Sequence, residues 1–115
     1  MNTSSTADKK VLHKKWYALY TRPRYEKRAE QELYQKGIEV FLPKIKTLKR
    51  YSDRKKEVIE PLFKSYIFVH MTYATRYVDT LRTTGIVGFV KSERKPVEVR
   101  REEIEAIKKL LKSNK

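Results

Sequence analysis

The chain has 115 residues and a formal net charge of +14, from 28 Lys and Arg against 14 Asp and Glu. This length predicts one domain with a small core, and the charge predicts a polyanionic partner, most often nucleic acid, over a merely solubilising basic surface. The absence of cysteine excludes disulfides and thiolate chemistry, and no apolar run reaches membrane-spanning length, so we expect a cytoplasmic protein without a membrane partner.

The first third of the chain predicts a tail, a strand and a helix. Residues 1–14 are polar and are expected to form a flexible tail. Residues 16–20, Trp-Tyr-Ala-Leu-Tyr, form a short strand rich in aromatic side chains. A helix then begins near Pro23, a residue suited to the first helical position, and runs to about residue 36, where Gly37 ends it.

The middle of the chain predicts two strands joined by a turn. Residues 40–48 form the second strand, in which Pro43 indicates an edge position or a bulge. After a loop at residues 51–56, residues 60–63 (Glu-Pro-Leu-Phe) interrupt the next strand. Residues 66–69 are almost entirely apolar, which indicates a strand buried in the middle of a sheet.

The last third predicts a helix, a strand and a final helix. Residues 74–81 carry apolar side chains at helical spacing, and Gly85 ends that segment. Residues 86–90 form the fourth strand, and residues 101–112 form an amphipathic helix with acids early and lysines late. The predicted fold is therefore α+β with ferredoxin-like β-α-β-β-α-β-α order. It has a four-stranded, mainly antiparallel sheet, with strands one and three central and the helices packed on it.

No arrangement of residues predicts catalysis. His13 and His70 have no partners at the spacing of a metal site or of a nucleophile and its base. The three glycines do not form a phosphate-binding loop. We therefore expect no enzyme activity, no metal and no cofactor.

Two groups of basic residues are the candidates for nucleic-acid contact. One begins the first helix, where Arg24 and Arg28 would share a face beside the positive end of the helix dipole. The other crowds the loop after the second strand, although lysines on an edge strand also serve to block unwanted strand pairing. The candidate contact residues are Arg22, Arg24, Arg28, Arg54, Lys55 and Lys56.

The aromatic residues divide into core and surface candidates. Tyr17, Phe68 and Tyr77 are assigned to the core. A second set lies at strand ends or on an open sheet face, and aromatic side chains often dominate binding energy. This second set is Trp16, Tyr20, Phe63, Tyr66 and Phe89.

Together these motifs resemble the N-terminal domain of the NusG family of transcription elongation factors, and especially its specialised antiterminators of the RfaH and UpxY-like type. The similarity covers about residues 15–112. The segments that carry it, in order, are Trp16-Tyr17-Ala18-Leu19-Tyr20, the Ala29 to Leu33 helix, Phe41-Leu42-Pro43, Glu60-Pro61-Leu62-Phe63, Tyr66-Ile67-Phe68-Val69, Gly85-Ile86-Val87-Gly88-Phe89-Val90 and Lys95-Pro96-Val97.

The resemblance implies a factor that binds the clamp helices of the largest subunit of RNA polymerase and suppresses pausing or termination. Nothing in the sequence demands a dimer, so we expect a monomer. The resemblance implies that Tyr20, Phe63 and Phe89, supported by Trp16 and Tyr66, form the polymerase-binding surface. It also implies that Arg22, Arg28 and Arg54 lie where specialised members contact the non-template DNA strand, with nascent RNA as the other possible nucleic acid. On this resemblance we expect residues 15–112 to form the N-terminal domain alone, without the family's second, KOW-type β-barrel domain.

The sequence departs from the family pattern at the turn after Phe63, where Lys64-Ser65 stands in place of the usual Pro-Gly or Pro-Asn. The segment before Gly85 is one residue short. The alternative is an RNA-recognition motif, which shares the same order of elements and would stack Tyr66 and Phe68 on the bases of single-stranded RNA.

Overall fold

The computed structural model describes residues 13–113, so the predicted tail at residues 1–14 lies almost entirely outside the described residues. Within this range the chain forms nine strands and three helices. The strands are β1 (Lys15–Thr21), β2 (Glu39–Phe41), β3 (Lys44–Arg50), β4 (Lys55–Pro61), β5 (Tyr66–Met71), β6 (Ile86–Phe89), β7 (Lys91–Ser92), β8 (Lys95–Pro96) and β9 (Glu98–Val99). The helices are α1 (Glu26–Gln35), α2 (Tyr73–Leu81) and α3 (Arg101–Ser113).

The main sheet is antiparallel throughout and has the order β2-β5-β1-β6, with β9 also pairing with β1. The inner strands β1 and β5 pair in register from Lys15 opposite Met71 to Tyr20 opposite Tyr66. The predicted mixture of helices and antiparallel strands is confirmed. The simple four-stranded plan is not what the structure has, because the main sheet contains five strands and two separate two-stranded ribbons accompany it.

The predicted second strand is in fact two strands, divided at Leu42 and Pro43. Both of these residues are buried, and the proline has no N–H to donate to a neighbouring strand. Strand β2 therefore stays with β5, whereas β3 leaves the sheet and pairs with β4 through seven consecutive residue pairs. Leu62 N donates a hydrogen bond of 2.8 Å to Pro43 O, which closes the base of this β3–β4 ribbon.

The core lies on one face of the main sheet. Alternate residues of the inner strands point to this face, and α1 covers them with Ala29 and Leu33, both fully buried. The core cluster consists of Tyr17, Leu19, Leu33, Ile38, Leu42, Ile67, Val69, Met71 and Phe89. Burying a side chain of this size contributes roughly 1.5–3 kcal/mol, so this face stabilises the domain and leaves the opposite face for other contacts.

Helix α1 begins later than the sequence predicts. The backbone at Arg24 has φ of +70°, a left-handed conformation that cannot belong to an α-helix, and the helix starts at Glu26. The prediction that Arg24 and Arg28 share a helical face is therefore wrong, since Arg24 lies in the preceding turn. The predicted end is confirmed: Gly37 adopts φ of +78°, and Ile38 N donates to Leu33 O at 3.0 Å.

Helix α3 packs on the face of the sheet opposite the core. Its Ile104 is fully buried. The Nζ atom of Lys108 lies 5.9 Å from the ring centroid of Trp16 and 5.3 Å from that of Phe41, within the range of cation–π attraction. The helix thus covers one part of this second face and leaves the rest open.

Candidate functional site

The second face of the main sheet carries a row of aromatic rings. We call this surface the aromatic face and define it as Trp16, Tyr20, Phe41, Phe63, Tyr66 and Phe68. Successive ring centroids are 6.5 Å apart for Trp16–Phe41, 6.1 Å for Phe41–Phe68 and 6.2 Å for Phe68–Phe63, and Tyr20 lies 5.2 Å from Tyr66. These are the separations of directly interacting aromatic pairs. The rings form a row of four and a separate pair, and strand alternation puts both on the same face.

The aromatic face is open at one end. Tyr20, Phe63 and Tyr66 expose 39%, 39% and 38% of their surfaces, which is high for large apolar side chains packed together. Trp16 is only 7% exposed because it stacks on His70, with centroids 4.9 Å apart, and lies near Lys108 of α3. The accessible part is therefore the end formed by the two tyrosines and Phe63.

Phe89 does not belong to this surface. It is 6% exposed and lies in the core, where its ring centroid is 5.9 Å from that of Tyr17 and 5.1 Å from that of Tyr73. Its strand partner is Leu19, a fully buried residue. The expectation that Phe89 joins Tyr20 and Phe63 on a binding surface is corrected, because the sheet places them on opposite faces.

Two aromatic residues assigned to the core lie elsewhere. Tyr77 is 40% exposed on α2, with its ring stacked on Tyr73 at 5.2 Å. Phe68 is half-buried within the aromatic face between Phe41 and Phe63. Phe41 itself was not among the candidates. The alternation of faces along the strand, together with its position opposite Phe68, is the signal that identifies it.

The basic candidates fall into two places. Arg22, Arg24 and Arg28 are exposed around the start of α1, where the guanidinium of Arg28 lies 6.0 Å from the ring centroid of Tyr25. At the far end of the β3–β4 ribbon the exposed residues are Arg54, Lys55 and Lys56.

The ribbon brings like charges directly together. Lys55 lies opposite Arg50, and Lys56 lies opposite Lys49. Pairs of like charge opposite each other destabilise a sheet. Folding alone therefore does not favour this arrangement, whereas a bound polyanion would.

A cleft lies beside these basic residues, and Arg24 is the one basic candidate that lines it. It lies between the turn before α1 and the base of the ribbon and encloses about 500 Å³. We call it the basic cleft. Its charged lining consists of Arg24, Lys27, Lys49, Lys64, Glu26 and Glu60.

Glu60 is the central acceptor of the basic cleft. It accepts hydrogen bonds from Lys49 Nζ at 2.6 Å and from Thr47 Oγ1 at 2.9 Å. These bonds, with that from Lys49 the stronger cause, lower the pKa of Glu60 below its usual range. The bond to Glu60 in turn raises the pKa of Lys49, while the positive charge of Arg24 acts in the opposite direction. Lys49 and Arg24 are like charges that line the same cleft.

The turn between β4 and β5 is held by a buried carboxylate. Ser65 adopts φ of +67°, a conformation that favours glycine or asparagine. Its N–H donates to Glu26 Oε2 at 2.8 Å, and its carbonyl accepts from Thr21 N at 2.9 Å. The left-handed turn is therefore kept with Lys64-Ser65 in place of Pro-Gly, and Phe63 stays at the edge of the aromatic face.

Within residues 13–113, no group of His, Cys, Asp or Glu side chains is arranged to hold a metal ion. Over the same residues, every helix is too short or too polar to cross a membrane.

Residues 14–108 match the family model described as Transcription termination factor nusG. The chain belongs to the NusG family. A solved structure concerned with domain interaction in NusG from Thermotoga maritima is similar to it, with a TM-score of 0.57 and 28% sequence identity. The similarity covers 82% of this chain and 55% of that one, so the chain matches about half the length of the Thermotoga structure.

In this NusG-family chain, the structure brings together some of the predicted site residues and separates others. Tyr20, Phe63 and Tyr66 form the open end of the aromatic face. Of the other two residues predicted for the polymerase-binding surface, Trp16 is a buried part of the aromatic face and Phe89 is in the core. Because NusG proteins are transcription factors, membership also supports the expectation of a role in transcription over one in catalysis.

Proposed function

We propose that this chain is the polymerase-binding domain of a transcription elongation factor of the specialised, RfaH or UpxY-like type. It binds the clamp helices of the largest subunit of RNA polymerase through Tyr20, Phe63 and Tyr66. It contacts the non-template DNA strand or the nascent RNA through its basic residues and so suppresses pausing or termination. In this proposal it acts as a monomer in the cytoplasm.

The observation that carries the proposal is the open end of the aromatic face. Three large aromatic side chains of this face, Tyr20, Phe63 and Tyr66, expose nearly two-fifths of their surfaces. An aromatic cluster of this kind is typical of the energetic centre of a protein interface, and the apolar sides of partner helices suit it. The family supplies the identity of the partner.

The interface is tested by truncating one aromatic residue and comparing it with a matched exposed tyrosine elsewhere. Tyr66→Ala should weaken binding to RNA polymerase at least about thirtyfold, corresponding to roughly 2 kcal/mol, because it removes a central contact. Tyr34→Ala is the control, since Tyr34 is 76% exposed on α1, outside the aromatic face. Affinity is measured by biolayer interferometry with purified polymerase. Equal affinity of the two variants would show that the aromatic face is not the interface.

The nucleic-acid contact is tested through its salt dependence. Phosphate contacts release counterions, so the logarithm of affinity falls linearly with the logarithm of salt concentration. The double variant Arg22→Ala, Arg28→Ala should reduce that slope by about 0.7–0.9 per lost contact. An unchanged slope would show that Arg22 and Arg28 do not contact phosphate.

A second candidate function is binding of single-stranded RNA without polymerase. The position of Tyr66 beside Phe68 on the aromatic face favours it, since exposed rings on a sheet can stack on bases. The two functions differ in one measurement. If the purified chain binds a short RNA more tightly than it binds polymerase, and Tyr66→Ala abolishes only RNA binding, the RNA function is correct.

A further inference from the structure

The basic cleft lies between the two groups of basic residues, and nothing so far assigns it a ligand. Arg24 stands on its α1 side, and Lys49 stands on the ribbon side. The cleft therefore has basic residues on both of its sides. The inference that follows rests on the proposed nucleic-acid contact and adds to it a defined subsite.

The charges of the cleft are only partly neutralised by the protein. Lys49 is engaged by Glu60, and Lys27 Nζ donates to Ile59 O at 2.8 Å. Arg24 and Lys64 form no ion pair or hydrogen bond with the residues that the structure describes. Two cations therefore face the cleft with their donors free for an anion.

The cleft also has an apolar part. Pro23 and Pro61 contribute to opposite walls, and Ile59 lies beside them with 51% of its surface exposed. A volume of about 500 Å³ lies within the range of small-ligand sites, roughly 300–1,000 Å³. Arg24 and Lys64 can bind an anionic group, and the apolar walls can contact a flat, weakly polar ring. A suitable ligand therefore has an anionic group at one end and such a ring at the other. A nucleotide has this character.

The backbone conformation at Arg24 sets the position of this side chain. A non-glycine residue with φ of +70° costs about 1–3 kcal/mol and persists where surrounding structure holds it. Here that conformation places the arginine at the cleft rather than on α1.

We propose that the basic cleft holds one nucleotide of a single-stranded nucleic acid whose neighbouring phosphates run from the start of α1 to the end of the β3–β4 ribbon. Arg24 and Lys64 bind its phosphate, and the base lies against Pro23, Ile59 and Pro61. Glu60 keeps Lys49 in place and limits the attraction, so the strand can be released.

The charge part of the proposal is tested with a fluorescent twelve-nucleotide oligo-dT and the full chain, by anisotropy over a range of salt concentrations. The variant Arg24→Gln, Lys64→Gln should lower affinity at least tenfold and reduce the salt slope by about 1.4, for two lost single-strand contacts. The control is Lys91→Gln, Lys95→Gln, which removes the same charge from exposed positions on the β7–β8 ribbon, outside the cleft and outside the proposed path of the strand. The control should lower affinity no more than threefold. Equal losses in both double variants would overturn the subsite.

The base contact is tested with an abasic twelve-mer that has the same number of phosphates. The wild-type chain should prefer oligo-dT to this polymer, and Ile59→Ser should lower affinity for oligo-dT about fivefold while leaving the abasic polymer unchanged. Equal affinity of the wild type for both polymers would contradict the base contact. Duplex DNA of the same length is a further probe. If Arg24→Gln, Lys64→Gln lowers the affinity for duplex DNA as much as the affinity for oligo-dT, the cleft is not specific for a single strand.

Polymerase binding separates failure of this inference from failure of the proposed function. The cleft variants should bind polymerase without nucleic acid as tightly as the wild type, because the aromatic face is intact. If they do so and bind oligo-dT normally, the cleft inference fails while the interface survives. If Tyr66→Ala also leaves polymerase binding unchanged, the proposed function fails as well.

Discussion

Phe63 and Phe89 show at the residue scale how the face of a sheet decides the effect of one substitution. Phe89→Ala should lower the free energy of unfolding by about 3–5 kcal/mol, because it leaves a cavity in the core. Phe63→Ala should lower it by about 1 kcal/mol or less, because that ring is 39% exposed. Urea denaturation followed by circular dichroism measures both. Similar losses would contradict the assignment of the two rings to different faces.

The sequence could not assign Phe89 to its face. Strand β6 is only four residues long and contains Gly88, so too few side chains alternate to define a buried side. Its register with β1 also shifts between Tyr20 and Thr21. In the longer strand β5 the alternation is complete, and the prediction that it is central in the sheet agrees with its position between β2 and β1.

Glu32 gives a pH dependence that can be tested at a single residue. Hydrogen bonding from Thr84, including its backbone N–H at 3.1 Å, lowers the pKa of this carboxyl from 4.5, and Lys36 adds to the effect. A lowered native pKa stabilises the fold above the unfolded pKa, and the contribution disappears as pH falls through the native value. Glu32→Gln should therefore be less stable than wild type at pH 7 and equally stable at strongly acidic pH. Thermal unfolding from pH 7 downward measures this. If the difference in stability between wild type and Glu32→Gln does not change with pH, the ionised carboxylate is not its source.

The β3–β4 ribbon is the element whose charge opposes its own stability. Lys55→Glu should stabilise the protein by up to about 1 kcal/mol, because it replaces repulsion of Arg50 by attraction, while weakening binding to oligo-dT. Lys46→Glu is the matched control, since it makes the same charge change opposite Ile59. Its stability should change by about 0.5 kcal/mol or less. Thermal unfolding compares them. Equal changes in melting temperature would show that the facing charges do not interact.

Only some features of the β3–β4 ribbon could be predicted from the sequence. The basic loop and the interruption at Pro43 were visible in the chain. Whether β3 continues in the main sheet or leaves it depends on which partner the strand finds, and no local pattern carries that information. The start of α1 was misplaced because Pro23 suits both a first helical turn and the second position of a β-turn. Tyr25 N donates to Arg22 O and Arg24 has φ of +70°, so the chain forms a type II turn there.

The connection between α2 and β6 depends on Gly85. A Cβ there would lie 2.6 Å from Tyr25 Cβ, and φ is +86°. Gly85→Ala should destabilise the protein by more than about 2 kcal/mol, combining strain with a clash. Gly37→Ala is the control, since φ is +78° with nothing within 4 Å of the added atom. It should cost only about 1–2 kcal/mol, for the conformation alone. A Gly85 variant as stable as the Gly37 variant would mean that the turn relaxes.

In the whole molecule, the two faces of the main sheet have different surroundings. Helix α1 covers the core face, α3 covers part of the opposite face, and the open end of the aromatic face lies on the rest of it. The basic cleft lies beside the sheet, between the turn before α1 and the β3–β4 ribbon. We expect these 115 residues to unfold cooperatively and to reduce pausing in a purified transcription assay without any recruitment signal. An unfolded chain, or one inert until a KOW domain is added, would contradict this self-sufficiency.

Because Glu26 holds the turn at Ser65, the effect of losing the Glu26 carboxylate depends on which residue is at position 65. While position 65 holds a serine with φ of +67°, loss of the Glu26 carboxylate removes the acceptor that keeps the turn in place. Once position 65 becomes glycine, the same loss is far less damaging, because glycine adopts that conformation without strain. The two sites are therefore epistatic. Related chains that have lost the acid should be those that first acquired a residue tolerant of positive φ.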